Sequence, residues 1–238
     1  LTGWLKQLRN EVIDLFFPRE CIGCGEIGGF ICNSCAKKLP RIYPPLCQRC
    51  GRPESSGRYC QECWGKQNNR IDAVRSVFVF EGTIRTAIHE LKYRNLRDIS
   101  VNLGEYMAEY YRNNGLKGDC LLPVPLHEKR IRERGYNQSE LLAKEIARHV
   151  EVPVKGHLVT RMRNNMPQAR TSNADERRTN MENVFRCQSP EVAGKNIIII
   201  DDVCTSGNTL ESCAAVLKGA GAKSVIGFTL AREILSRS

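Results

Sequence analysis

From Ile71 onward, short apolar runs alternate with segments in which apolar positions recur every three or four residues, the pattern of strands followed by amphipathic helices. Residues 74–80 (VRSVFVF) predict a strand, 83–93 (TIRTAIHELKY) a helix, 100–112 (SVNLGEYMAEYYR) a second helix and 120–125 (CLLPVP) a short strand. A basic loop over 127–136 (HEKRIRERGY) comes next. It leads into a helix opened by Asn137 with Glu140 three residues on, as in a capping box, and then a strand around 157–162 (HLVTRM). A polar stretch over 163–183 separates these from a strand at 195–200 (KNIIII), a helix after Gly207 and a last strand at 224–231 (SVIGFTLA). The four isoleucines make their strand hydrophobic on both faces, which suits a sheet covered on both sides. The pattern therefore predicts an α/β domain: a parallel sheet with helices on both faces.

The first part of the chain reads differently. Trp4, Leu5, Leu8, Val12, Ile13, Phe16 and Phe17 fall at helical spacing, interrupted by Lys6, Arg9, Glu11 and Asp14, and Pro18 closes the segment. The charges exclude a membrane span, and no cleavage pattern follows that would make it a signal peptide. Packing onto the protein's own body is the expected use of this helix, with a partner or a membrane surface as the alternative. After Trp64 the polar segment GKQNNR marks a boundary, so the predicted divisions are a helix over 1–18, a Cys-rich domain over 19–67 and the α/β domain over 68–238.

The chain has 12 cysteines, and eight of them form four Cys-x-x-Cys pairs: Cys21/Cys24, Cys32/Cys35, Cys47/Cys50 and Cys60/Cys63. Two thiolates separated by two residues can face one ion, and two such pairs complete a tetrahedral structural zinc site. Eight ligands allow two zincs. Sequential pairing closes the shorter loops, and a crossed arrangement of alternate pairs is also open. The alternative, redox-active dithiols, does not require four regularly spaced pairs. Metal ligation and a cytoplasmic location, with a peripheral place at the inner face of the membrane as the alternative, fit this pattern better than an exported disulfide framework. So few residues bury little apolar surface, so the metal would supply much of the folding free energy of this region.

With 36 Lys and Arg against 26 Asp and Glu, the 238-residue chain carries a formal charge of +10. That surplus attracts phosphate-rich partners such as nucleic acid or phosphorylated metabolites. The stretch IIIIDDVCTSGNTL (197–210) narrows the choice. If Ile197 to Ile200 form a central strand, Asp201 and Asp202 lie at its carboxyl end, where α/β sheets bind ligands. Thr205, Ser206, Gly207, Asn208 and Thr209 then turn into a helix whose N-terminal amides and hydroxyls can cradle a phosphate. The segment has neither the Gly-Lys-Ser/Thr of a P-loop nor a dinucleotide glycine fingerprint. A phosphate near two vicinal hydroxyls describes a ribose 5-phosphate.

The same stretch resembles the signature of type I phosphoribosyltransferases. The resemblance implies that Asp201 and Asp202 hold the ribose hydroxyls of phosphoribosyl pyrophosphate. It also implies that Val203, Cys204, Thr205, Ser206, Gly207, Asn208 and Thr209 bind the 5′-phosphate. Together with PRECIGCG, FEGTIRTAIHELKYRNLRD, LPVPLHEKRIRERGYNQSELLAKEIA and RMRNNMPQARTSNADERRTNMENVF, in that order, it makes the chain similar to the ComF family of competence-associated proteins. That family implies a zinc-ribbon head on a phosphoribosyltransferase-like domain, with a role in DNA uptake and the handling of single-stranded DNA during natural transformation. It also implies magnesium bound with phosphoribosyl pyrophosphate, and other competence or DNA-uptake proteins as partners.

A pyrophosphate leaving group needs cations where charge develops. Lys129, Arg130, Arg132 and Arg134 follow the Pro-Val-Pro strand end, and Arg134 beside Gly135 and Tyr136 is the catalytic candidate among them. Arg161, Arg163, Gln168, Arg177 and Asn180 correspond to the loop that closes over the reacting centre in type I enzymes. His89 and Lys92 can serve either the fold or a ligand, and Tyr93 is expected to be partly buried rather than a stacking platform. Cys204 is either an activated thiol at a helix N-terminus or merely a small residue. Three activities stay open on this reading: a magnesium-dependent phosphoribosyltransferase, a nucleic-acid module that keeps the ligand site, and a metabolic phosphoribosyltransferase acting on an unidentified base or amine.

Overall fold

The computed structural model describes residues 19–65, 70–162 and 184–234; the predicted helix over 4–17 and the polar stretch over 163–183 lie outside the described residues. In chain order the described elements are α1 (Asn33–Ala36), β1 (Ala73–Val79), α2 (Gly82–Tyr93), α3 (Ile99–Asn113) and β2 (Cys120–Pro123). They continue with α4 (Glu128–Arg134), α5 (Gln138–Val150), β3 (Val159–Arg161), β4 (Phe185–Cys187), β5 (Asn196–Cys204), α6 (Asn208–Gly219) and β6 (Ser224–Arg232).

Four strands form a parallel sheet in the order β1-β6-β5-β2, and β3 and β4 form a separate antiparallel pair. Along β5, Ile198 and Ile200 join one buried cluster with Ile88 of α2, Leu103 of α3 and Ile146 of α5. Ile197 and Ile199 join another with Leu210 and Leu217 of α6. Consecutive isoleucines thus serve opposite faces, which is why the run has no polar alternation. The α/β architecture expected from the pattern is the one observed.

The basic segment over 127–136, expected as a loop, contains the seven-residue helix α4. His127 Nδ1 accepts a hydrogen bond from the Lys129 amide at its start, and Gly135 closes it. It buries no residue, so it carries no apolar periodicity for a sequence reading to detect. Asn137 caps α5 as expected, its Oδ1 accepting from the Ser139 amide at 3.0 Å, while Glu140 pairs with Lys144 at 2.6 Å.

The Cys-rich head packs along β1. Ile42 N donates to Val77 O and Val79 N donates to Pro40 O, so residues 40–42 run antiparallel beside the strand. Ile31 and Leu39 of the head belong to the same buried cluster as Phe78. Farther along, Val74 N donates to Arg49 O at 2.6 Å. A Cβ on Gly51 would stand 2.3 Å from Val74 O, and Gly51 has φ +72°, so glycine permits both this turn and the close approach.

Candidate functional site

The eight paired cysteines gather into two quartets, Cys21, Cys24, Cys32 and Cys35, and Cys47, Cys50, Cys60 and Cys63. Within each quartet the sulfurs lie within 4.8 Å of one another. This is the sequential arrangement of the two that the sequence allows. Four thiolates at about 2.3 Å from one zinc stand about 3.8 Å apart. The Cys24–Cys32 and Cys50–Cys60 sulfur separations are 3.6 and 3.7 Å, matching that spacing and far too long for disulfide bonds. The amides of Cys32 and Cys60 donate to the sulfurs of Cys21 and Cys47, each at 3.3 Å, as a thiolate at a metal requires. Hydrogen bonding with Cys24 and then Cys21 pushes the Cys35 thiol up to about 12, crowding that a central cation relieves. The residues present therefore fit zinc.

The acid pair sits where the sheet changes width. The sequence places Asp201 and Asp202 beyond the strand end, but β5 continues to Cys204 because β6 keeps pairing with it, Asp201 opposite Thr229 and Cys204 opposite Arg232. On its other side β2 pairs only as far as Pro123 opposite Ile200. The acids are thus inside β5 yet past the end of β2, at the mouth of the resulting crevice.

Asp202 is buried, at 3% exposure. Its Oδ1 meets Lys92 Nζ at 2.6 Å, whereas its Oδ2 is buried with no hydrogen-bond partner. A hidden carboxylate oxygen without a donor is costly, so this atom suits a ligand hydroxyl or a cation. Asp201 Oδ1 accepts from Ser139 Oγ and from the Asp202 amide, both at 2.9 Å. Burial, and then the neighbouring Asp202 charge, push the Asp201 carboxyl up to about 7. Two adjacent carboxylates that resist joint ionisation fit a ligand bringing a metal ion or hydroxyl donors.

Past the acids, Gly207 (φ 84°, ψ −3°) turns the chain into the 12-residue α6 without a side-chain cap. Thr205, Ser206, Asn208 and Thr209 are exposed around this turn, and Ser206 Oγ accepts from the Asn208 amide at 3.4 Å. Val203 is half-buried beneath the loop. A helix start with exposed amides and hydroxyls fits a phosphate. Cys204 is buried, beside Arg232 Nη1 at 3.3 Å, and burial pushes its thiol up. It is therefore the small buried residue, not an activated thiol.

Arg134, at the end of α4, donates to Gln138 Oε1 at 2.6 Å and lies over the Tyr93 ring at 5.3 Å; these contacts are with neither acid. Arg161 ends β3, where burial and then Arg130 lower its pKa and the Asp201 charge opposes them, so it lies within electrostatic reach of the acid pair. Arg163, Gln168, Arg177 and Asn180 lie outside the described residues. Tyr93, expected to be partly buried, is 68% exposed because α2 ends there, with Arg134 and His89 beside its ring. Ser139 escaped the sequence reading: it touches Asp201 across 62 positions, and only its place in the first turn of α5 hinted at a role.

Residues 12–64 match the double zinc ribbon domain and residues 137–236 the phosphoribosyl transferase domain. Competence protein ComFC of Bacillus subtilis (strain 168) is 31% identical over 210 residues, 85% of this chain and 84% of that protein. Competence protein F of Haemophilus influenzae is 28% identical over 91% of this chain and 98% of its own. DNA utilization protein YhgH of Escherichia coli (strain K12) is 31% identical over 86% of this chain and 91% of its own. Among solved structures, the purine phosphoribosyltransferase of Pyrococcus horikoshii aligns with 56% of this chain and 81% of its own, at 16% identity and a TM-score of 0.34.

Proposed function

The chain belongs to the ComF family, a double zinc ribbon joined to a phosphoribosyltransferase domain, and from that premise we propose that it binds phosphoribosyl pyrophosphate with magnesium and handles single-stranded DNA during uptake. The observation that carries the first part is the buried, donorless Oδ2 of Asp202 beside Asp201, followed at once by the exposed turn into α6. On this reading the two carboxylates take the ribose hydroxyls and residues 203–209 take the 5′-phosphate. Magnesium supplies charge neutralisation at the pyrophosphate, held mostly by ligand and water oxygens. Lys92, in contact with Asp202, and Arg161, within electrostatic reach of Asp201, are the candidate cations beside the acids, and Arg134 is the candidate on α4. The names of the relatives, competence and DNA utilization, support the second part.

Calorimetric titration of the zinc-loaded protein with phosphoribosyl pyrophosphate and magnesium tests the site. Saturable binding is expected in the native chain and its loss in an Asp201→Asn, Asp202→Asn variant, since each hydrogen bond to a charged group contributes about 1.5–3 kcal/mol. A native protein that binds nothing overturns the reading. The elevated Asp201 carboxyl adds a pH signature. Below about 7 it holds a proton and cannot serve a cation or a hydroxyl donor, so affinity should rise with pH and level off above about 7. A flat profile from pH 5.5 to about 8 would place ligand binding elsewhere.

A further inference from the structure

The second zinc knuckle and the turn into α6 meet at a cavity of about 220 Å3, lined by Cys50 and Cys63 of the knuckle and by Cys204, Ser206 and Gly207 of the turn. Arg232, the last residue of β6, joins the two: its Nη1 donates to the Cys50 carbonyl at 2.6 Å and to Cys204 Sγ at 3.3 Å. The Cys204 sulfur in turn lies against the turn, 3.9 Å from where a Cβ on Gly207 would stand. The chain entering β1 is held to the same helix, since Glu211 Oε2 in the first turn of α6 accepts from the amides of Arg70 at 3.0 Å and Ile71 at 3.3 Å. Arg232 is 3% exposed, and among the described residues the hydrogen-bond partners of its guanidinium are that carbonyl and that sulfur. A buried cation so placed needs a counter-charge. Four thiolates around one zinc carry a net negative charge, and Cys50 is one of them, so the loaded second knuckle supplies it. The first knuckle is placed differently: Ile31 and Leu39 beside it are buried in the main cluster with Phe78, and none of its residues lines this cavity.

We propose that Arg232 is a positioning residue for the phosphate turn, through which zinc at the second knuckle, more than at the first, sets the affinity for the phosphoribosyl ligand. The inference rests on the reading of residues 203–209 as the 5′-phosphate site. With zinc bound, Arg232 is anchored on the Cys50 carbonyl and holds Cys204 against Gly207, so the turn is already ordered when the anion arrives. Without zinc the knuckle unfolds, the anchor is lost, and the ligand must order the turn itself. Ligand at the turn and zinc at the second quartet therefore favour each other, and by one common factor.

Calorimetry with phosphoribosyl pyrophosphate and magnesium on the full chain compares two matched losses. Cys32→Ser, Cys35→Ser empties the first quartet, and Cys60→Ser, Cys63→Ser empties the second. With amide protection in β5 and β6 retained, the second pair should bind at least about fivefold more weakly than the first, the lower end of common couplings. A merely structural need for zinc gives the opposite order, because the first knuckle shares the buried core of the α/β domain. Equal losses, or a larger loss from the first pair, overturn the proposal. With both zincs bound, Arg232→Met should bind as weakly as the second pair, and the two changes combined should be no weaker than either alone; losses that add overturn Arg232 as the link. Arg232→Lys, which keeps the charge on a shorter stem, takes its place if Arg232→Met folds poorly. The native chain supplies the reciprocal measurement with no substitution, and decides the coupling where a variant loses its fold. Phosphoribosyl pyrophosphate, with magnesium in both arms, should raise by about fivefold or more the concentration of a zinc-selective chelator that strips one of the two zincs and leave the other nearly unmoved. No shift, or an equal shift of both, overturns the coupling. A zinc-loaded native protein that binds no phosphoribosyl pyrophosphate defeats the ribosyl-ligand reading and this inference with it. One that binds it without preference between the quartets defeats this inference alone.

Discussion

The second knuckle of the head and the α/β domain are held together by different interactions. Around Cys47 to Cys63 the buried apolar cluster consists of the metal-binding cysteines themselves. Around β5 it is made of aliphatic and aromatic side chains from both faces of a sheet, Phe228 and Ile198 among those fully buried. The second knuckle thus has specificity without a reservoir of apolar surface, and the domain has both. One should fail all at once when an ion leaves, and the other by increments as side chains are trimmed.

The sharpest break is metal removal. Chelation should unfold the knuckles, a loss on the scale of the about 10–16 kcal/mol that structural zinc contributes to small zinc domains, while amide protection in β5 and β6 persists. Hydrogen exchange reads this directly, and equal loss of protection in both regions would erase the contrast. Next in size, Phe228→Ala should cost the α/β domain about 3–5 kcal/mol in urea denaturation with zinc still bound. Gly51→Ala addresses the seam between the two. Its added methyl meets the Val74 carbonyl, so exchange should rise over residues 47–63 and stability fall by about 1–3 kcal/mol. The smallest effect belongs to Arg41→Ala. Its 3.0 Å pair with Glu109 is partly exposed, and its removal should change stability by about 1 kcal/mol or less.

Sequence patterning made the domain legible, because β1, α2, α3 and α5 carry a period that survives in one dimension, while β5 and β6 announce themselves as apolar runs. What stayed hidden depends on partners distant in sequence. The placement of Asp201 and Asp202 inside β5 is set by how far β6 runs beyond β2. Lys92 reaches Asp202 across 110 positions, more than the 62 that separate Ser139 from Asp201, and neither helix marks that inward contact by composition. The cysteine spacing announced the metal sites, since two-residue separation is local, but not the docking of their backbone onto β1. The short β4 offered three residues, too few for a period.

The hydrogen bonds from residues 40–42 to β1 carry a consequence for truncation. A parallel sheet whose outermost strand offers bare amides and carbonyls is a template for further strands, and here the head covers that margin with its own backbone. Cutting the chain near residue 68 would expose both the unsatisfied row and the apolar surface under Ile31 and Leu39. The isolated domain should self-associate by adding strands edge to edge, so the head is a solubility device as well as a metal site.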